Sequence, residues 1–166
     1  MFELRKLAPD AVEAAHEMAV RYRLLNKPRL AESICRDILA VEPENRDAIV
    51  TLILALTDQY GREGGMSIAE ATALVSQLEG EYEREYYSGI ICERRAMAQL
   101  SIPGASSGQI AYDWLRRAMA FFERAEESSP PRNNDAVLRW NTCARLINAR
   151  NDIRPAPSDR MAEMLE

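Results

Sequence analysis

The stretch A31-ESICRDILAVEPENRDAIVTLILA-L56 decides the fold. It holds two helix-like apolar patterns separated by Glu42-Pro43-Glu44-Asn45. A proline inside a helix removes a backbone donor and clashes with the preceding turn, at a cost of ~3 kcal/mol. Each flanking pattern is complete without Pro43, so the segment reads as two helices joined by a turn. The first has Leu30, Ala31, Ile34, Ile38 and Leu39 on one side. The second, AIVTLILAL, is apolar on nearly every side and is expected to be buried on both flanks. Its Ile and Val content would also suit a strand. Capping by Asn45 or Asp47 and the polar continuation TDQY favour a helix.

Outward from this stretch the helical period continues almost throughout. Upstream, Ala11, Ala15, Met18, Tyr22 and Leu25 recur at spacings of four and three, with Asp10 as the expected N-cap and Asn26-Lys27-Pro28 as the stop. Downstream, GREGG (Gly61–Gly65) breaks the chain before a helix carrying Ile68, Ala71, Val75 and Leu78. Gly80 precedes a fifth helix, EYEREYYSGIICERRAMAQL, and IPGASSG ends it. A sixth helix has Ala111, Leu115, Ala118, Phe122 and Ala125 in one stripe with Trp114 beside it. SSPPRNND stops that helix and caps a seventh carrying Ala136, Val137, Trp140, Ala144 and Ile147. A short terminal helix is expected from about Arg160. No strand–turn–strand pattern is found. Short connections predict antiparallel neighbours.

Two parts of the chain share a spacing. Ala31, Cys35, Ile38 and Pro43 are set four, three and five apart, and Ala118, Phe122, Ala125 and Pro130 repeat this. Each proline is followed by an Asp-Ala pair opening a helix, Asp47-Ala48 and Asp135-Ala136. The pattern resembles the tetratricopeptide repeat (TPR) family, whose ~34-residue unit is a helix hairpin with small residues at the crossing and a proline at the exit. Residues 12–60 carry the resemblance most fully and 111–150 in part; between 61 and 110 only Gly89 matches the small crossing residue. Departures are Ala15 at the family's bulky aromatic, Ala19 at its glycine and Cys35 at its phenylalanine. The resemblance implies an all-α fold of about seven main helices, stacked as antiparallel hairpins in a short, right-handed superhelical TPR-like array. Residues 1–153 would form a single domain and 154–166 a tail.

Composition narrows the function classes. Apolar residues are 47% and charged residues 28% of the 166, an ordinary globular balance. A chain this long buries roughly 68–70% of its unfolded surface, enough to need no metal or disulfide staple. A net charge of −5 argues against a nucleic-acid partner. Lys6 and Lys27 are the only lysines, as the codon bias of a GC-rich, bacterial genome would produce; selection for planar carboxylate recognition is the alternative. Cys35, Cys92 and Cys143 are odd in number and far apart, so buried reduced thiols are expected rather than disulfides or a zinc site. The N-terminus has no signal-peptide pattern and no segment approaches the ~18 apolar residues of a membrane span. The expectation is a cytoplasmic protein without a membrane partner.

Catalytic constellations are sparse. His16 is the only histidine, and Glu13-x-x-His16 lacks the second such pair that a di-iron bundle needs. GREGG lacks the Lys-Ser/Thr ending of a phosphate loop. The carboxylates of EYERE open a helix, where they complement its dipole. Trp114 and Trp140 read as core, and the arginines of ERR and WLRR as solvated faces. Neither enzyme activity nor a cofactor or metal is expected.

One polar group stands out. Asn134, Asn141, Arg145 and Asn148 lie close in angle on the seventh helix, although Asn is a mediocre helix former. Amides can bond an extended peptide backbone, and arginine can grip a carboxylate with two bonds. In the TPR family the first helix of each unit lines a concave groove where Asn and basic residues hold peptides; here the earlier helices lack the matching Lys-x-x-x-Asn pattern. The alternative is that these groups cap the array by bonding the C-terminal tail. The expected function is a noncatalytic module that binds a protein or peptide segment, with Tyr86 and Tyr87 as further contacts. The rivals are a small acidic TPR-type chaperone for a secreted protein and a structural protein forming a homodimer.

Overall fold

A computed structural model describes residues 2–61, 68–104 and 106–156. Among these residues there are seven α-helices and no strand. The chain divides into two compact units, Met1–Glu79 and Gly80–Glu166. The expected GREGG break beyond Gly61 and the terminal helix from Arg160 lie outside the described residues.

The first unit contains α1 (Val12–Leu24), α2 (Pro28–Val41), α3 (Arg46–Thr57) and α4 (Ile68–Val75). Each packs on the next, and α1 also reaches α3. The α1–α2 turn follows from Asn26 and Pro28. Asn26 adopts a left-handed φ of 55°, which asparagine tolerates. Its N–H donates to the Arg23 carbonyl at 2.9 Å, and the Lys27 N–H reaches the Tyr22 carbonyl at 2.8 Å. This pair of bonds closes α1 in a Schellman motif. Pro28 then starts α2, where its missing donor costs nothing.

Pro43 lies between α2 and α3, as the sequence predicts for a turn. Asn45, rather than Asp47, caps α3: its side chain accepts from the Ala48 N–H at 2.9 Å. Asp47 occupies the first turn. α3 is buried nearly all round, through Ala48, Ile49, Thr51, Leu52, Ile53, Ala55, Leu56 and Thr57. This matches its unbroken apolar character.

Three sequence expectations are corrected by the structure. Asp10 does not cap α1; it sits in a 3-10 turn, Pro9–Ala11, and makes no capping bond. The buried line of α1 runs through Val12 and Ala19, while Met18 and Leu25 are exposed. Small side chains let α1 approach its neighbours along that line, which turns the longer apolar side chains outward. Leu30 on α2 is likewise exposed, and Ala31, Cys35 and Ile38 are fully buried.

The second unit contains α5 (Glu81–Leu100), α6 (Ser107–Glu127) and α7 (Asp135–Ala149). α5 and α6 share an extensive interface, and α7 packs on α6. The expected α6 stripe is fully buried: Ala111, Leu115, Ala118, Phe122 and Ala125 are each at most 1% exposed. The chain after α7 crosses the start of α6 at Gly108, where an added Cβ would collide with the Asp152 carbonyl. Ile153 is buried there. No helix among the described residues is long and apolar enough to cross a membrane.

Candidate functional site

At about 100° per residue, Asn134, Asn141, Arg145 and Asn148 fall within an arc of about 60°. Ala136 and Cys143, the buried residues of α7, lie on the opposite side of the helix. The four polar residues therefore face away from the α6 packing surface instead of flanking it. Asn134, Arg145 and Asn148 are exposed and Asn141 is half-buried. Leu138 borders that arc, about 20° beyond Arg145, and is 60% exposed. Sequence reasoning missed it, although its angle was available from the helical period.

None of these four polar side chains makes a hydrogen bond or ion pair among the described residues. The polar groups of the chain after α7 pair with each other instead. Arg150 donates to both Asp152 carboxylate oxygens at 3.1 and 2.7 Å, and Arg154 donates to Asn151 at 2.9 Å. The described part of the tail is thus not held by the α7 stripe. Amides that offer both a donor and an acceptor, one guanidinium fork and an exposed Leu can bind an extended segment carrying a carboxylate.

Tyr86 and Tyr87 are placed differently. Tyr86 stacks on Tyr82 at 5.6 Å between centroids and meets Tyr87 edge-on at 5.3 Å. It also packs on Phe122 at 5.9 Å. Both tyrosines are half-buried, and Tyr86 neighbours Arg139. Tyr86 therefore supports the α5–α6 core and leaves only part of its ring at the surface. The Tyr82 hydroxyl is buried, and desolvation raises its pKa.

The sequence also missed a link between α5 and α7. Arg139 Nη1 lies 3.4 and 3.5 Å from the Glu93 carboxylate oxygens. Glu93 is buried, and that burial pushes its pKa above the usual carboxylate value despite the nearby guanidinium.

His16 is half-buried, with Nε2 2.9 Å from Thr51 Oγ1. Among the described residues no group of three His, Cys, Asp or Glu could hold a metal ion. The three thiols are free and buried. Desolvation pushes Cys35 and Cys143 up to about 12 and Cys92 to about 11, which suits packing rather than nucleophilic attack. Trp140 is half-buried and donates through Nε1 to Glu123 at 2.8 Å. Among the described residues, cavities lie at two turns of the first unit. One, of about 420 Å³, is lined by Glu42, Pro43, Glu44 and Asn45. The other, of about 190 Å³, lies among Asn26–Leu30 and Gln59. Neither brings a nucleophile to a base. Comparison with family models, curated proteins and solved structures finds no match to this chain.

Proposed function

We propose that this chain is a noncatalytic protein–protein interaction module, built from TPR-like helix hairpins in a right-handed array, that binds a protein segment on α7. The observation that carries this reading is the outward stripe of α7. Asn141, Arg145 and Asn148 have no partner among the described residues, and exposed Leu138 borders the stripe. Such groups have no hydrogen bond within the described chain to give up when a ligand arrives. Small residues at the hairpin crossings support the TPR-like reading: Ala19 and Ala31 are fully buried in the first unit, and Gly89 meets Phe122 in the second.

The test is affinity capture from the native host with the wild-type chain and the Asn141→Ala/Arg145→Ala variant, read by mass spectrometry. A protein recovered by the wild type and lost from the equally helical variant supports the module. Equal recovery removes the α7 site. The same comparison on secreted proteins, in the unfolded and the folded form, separates a secretion chaperone from a general adaptor.

A structural, homo-oligomeric role is a second reading, favoured by exposed Leu24, Leu25 and Leu30 around the α1–α2 turn. Sedimentation equilibrium decides it: a tight dimer that dissociates on Leu24→Ser/Leu25→Ser substitution would favour this role over segment capture.

A further inference from the structure

We propose that the outer flank of α6 is a second docking surface, shaped for an acidic amphipathic helix. Ile110, Trp114, Arg117, Phe121 and Arg124 follow one another at spacings of four, three, four and three. That is the 3.5-residue period of a helix-packing seam. The five residues fall within an arc of about 80° and span about 21 Å of helix. This arc flanks the buried stripe of Ala111, Leu115, Ala118, Phe122 and Ala125, its centre about 100° from the stripe's.

The seam alternates apolar bodies with cations. Ile110 is 40% exposed, Trp114 and Phe121 are half-buried, and both arginines are exposed. The Arg117 guanidinium lies 5.1 Å from the centre of the Trp114 ring, and that of Arg124 lies 4.5 Å from the Phe121 centre. A guanidinium stacked on a ring keeps its N–H edge free for a carboxylate. Arg117 makes no hydrogen bond among the described residues. Among the described residues Arg124 gives only its Nε to Glu85, at 2.8 Å, which leaves its Nη groups open. The sequence alone suggested a core Trp114 and a merely solvated Arg117; the stacking joins them into one surface.

Charge and period select the occupant. Two arginines with open N–H edges call for carboxylates. The helical period calls for knobs about 5 Å apart along an axis, as another helix supplies and a stretched strand does not. A single-stranded nucleic acid could stack on Trp114, but two arginines on a chain of net charge −5 give it little phosphate neutralisation. The fitting partner is a helix with an apolar a/d seam flanked by Asp or Glu. This surface is independent of the α7 site.

The test uses the full chain with Trp140→Phe, which leaves Trp114 as the lone indole. The probe is a synthetic helix of about 21 residues, three heptads, with Leu at a and d and Glu at e and g; the control carries Lys at e and g. Saturable blue-shifted Trp114 emission with the Glu peptide is expected. Arg117→Glu with Arg124→Glu should weaken that binding by about tenfold or more and transfer preference to the Lys peptide, with helicity unchanged. Asn141→Ala with Arg145→Ala should leave it intact. Unmoved emission, equal binding of the two peptides, a response to oligo-dT alone, or self-association through the seam seen by sedimentation would each overturn the proposal.

Discussion

Gly89 and Phe122 meet where α5 crosses α6, so closely that a Cβ on Gly89 would lie 2.5 Å from Phe122 Cε1 and 2.7 Å from Cδ1. The ring is 1% exposed and cannot swing into solvent. Replacing glycine by alanine in a helix ordinarily gains ~1 kcal/mol, whereas overpacking a core costs ~1–3 kcal/mol. Here the ring itself is the obstacle, so the steric term wins. Gly89→Ala should destabilise the chain by about 1–2 kcal/mol in urea unfolding. Adding Phe122→Leu should recover part of that loss, with a coupling energy above ~0.5 kcal/mol in the double-mutant cycle. Additive losses would mean that the two residues do not share the crossing. The corresponding spacing in the first unit sets Cys35 where Phe122 stands, together with Ala19 in place of glycine. The smaller side chain on α2 goes with the larger one on α1.

The turn at Pro43 depends on one side chain. Asn45 accepts from the Ala48 N–H at 2.9 Å, and its own amide reaches Glu42 at 2.7 Å. α3, which it opens, contributes more buried aliphatic side chains than any other helix of the first unit. Loss of an N-cap typically costs ~1 kcal/mol. Asn45→Ala should lower stability by about that amount, and Asn45→Asp should retain most of it, since a carboxylate caps as well and suits the helix dipole. Thermal unfolding of the two variants side by side checks the order.

Gly108 makes a different kind of close approach. The backbone at Asp152 and Ile153 lies where its side chain would be, and Ile153 is buried beneath that crossing. A backbone carbonyl cannot step aside as a flexible side chain can. Gly108→Ala should therefore lift the segment around Ile153 and expose it, while α5 and α6 stay packed. Hydrogen exchange should show lost protection confined to residues near 150–154 and the first turn of α6. Unchanged protection would mean that the crossing accommodates a methyl group.

Helix number and order were legible because proline and glycine punctuate the chain and each punctuation has a backbone cause, as at Asn26-Lys27-Pro28. The α6 face was legible because its apolar residues occupy one arc only. In α1, Ala, Val, Met and Leu occupy several arcs, and the buried one is chosen by which small residues can approach a neighbouring helix. That choice depends on the neighbour, and it put Val12 and Ala19 inward and Met18 outward. The α7 polar arc could be read from angle alone. The Glu93–Arg139 link could not, because its partners are 46 residues apart and on different helices. Nor could the stacking on α6, since a tryptophan on the edge of an apolar stripe reads as core until the arginine above it is seen.

Glu93 gives the chain a pH dependence of unusual sign. Burial raises its pKa above 4.5, and Arg139, at 3.4 and 3.5 Å, offsets only part of that. The folded state therefore binds this proton more tightly than the unfolded state does. The stability associated with that proton is fully present below the unfolded pKa and is lost as pH rises through the higher folded value. Paired carboxylates, whose pKa values fall on folding, behave in the opposite way. Glu93→Gln has no proton to lose, so its advantage over the wild type should grow as pH rises above about 4.5 and level off once Glu93 is ionised in both states. Urea midpoints of the two proteins, measured from about pH 4.5 to pH 7.5, isolate this group because the other titrations are common to both. Arg139→Leu should steepen the effect by removing the cation that partly compensates the buried charge. A wild type that instead gains on Glu93→Gln with rising pH would show that the ion pair outweighs desolvation.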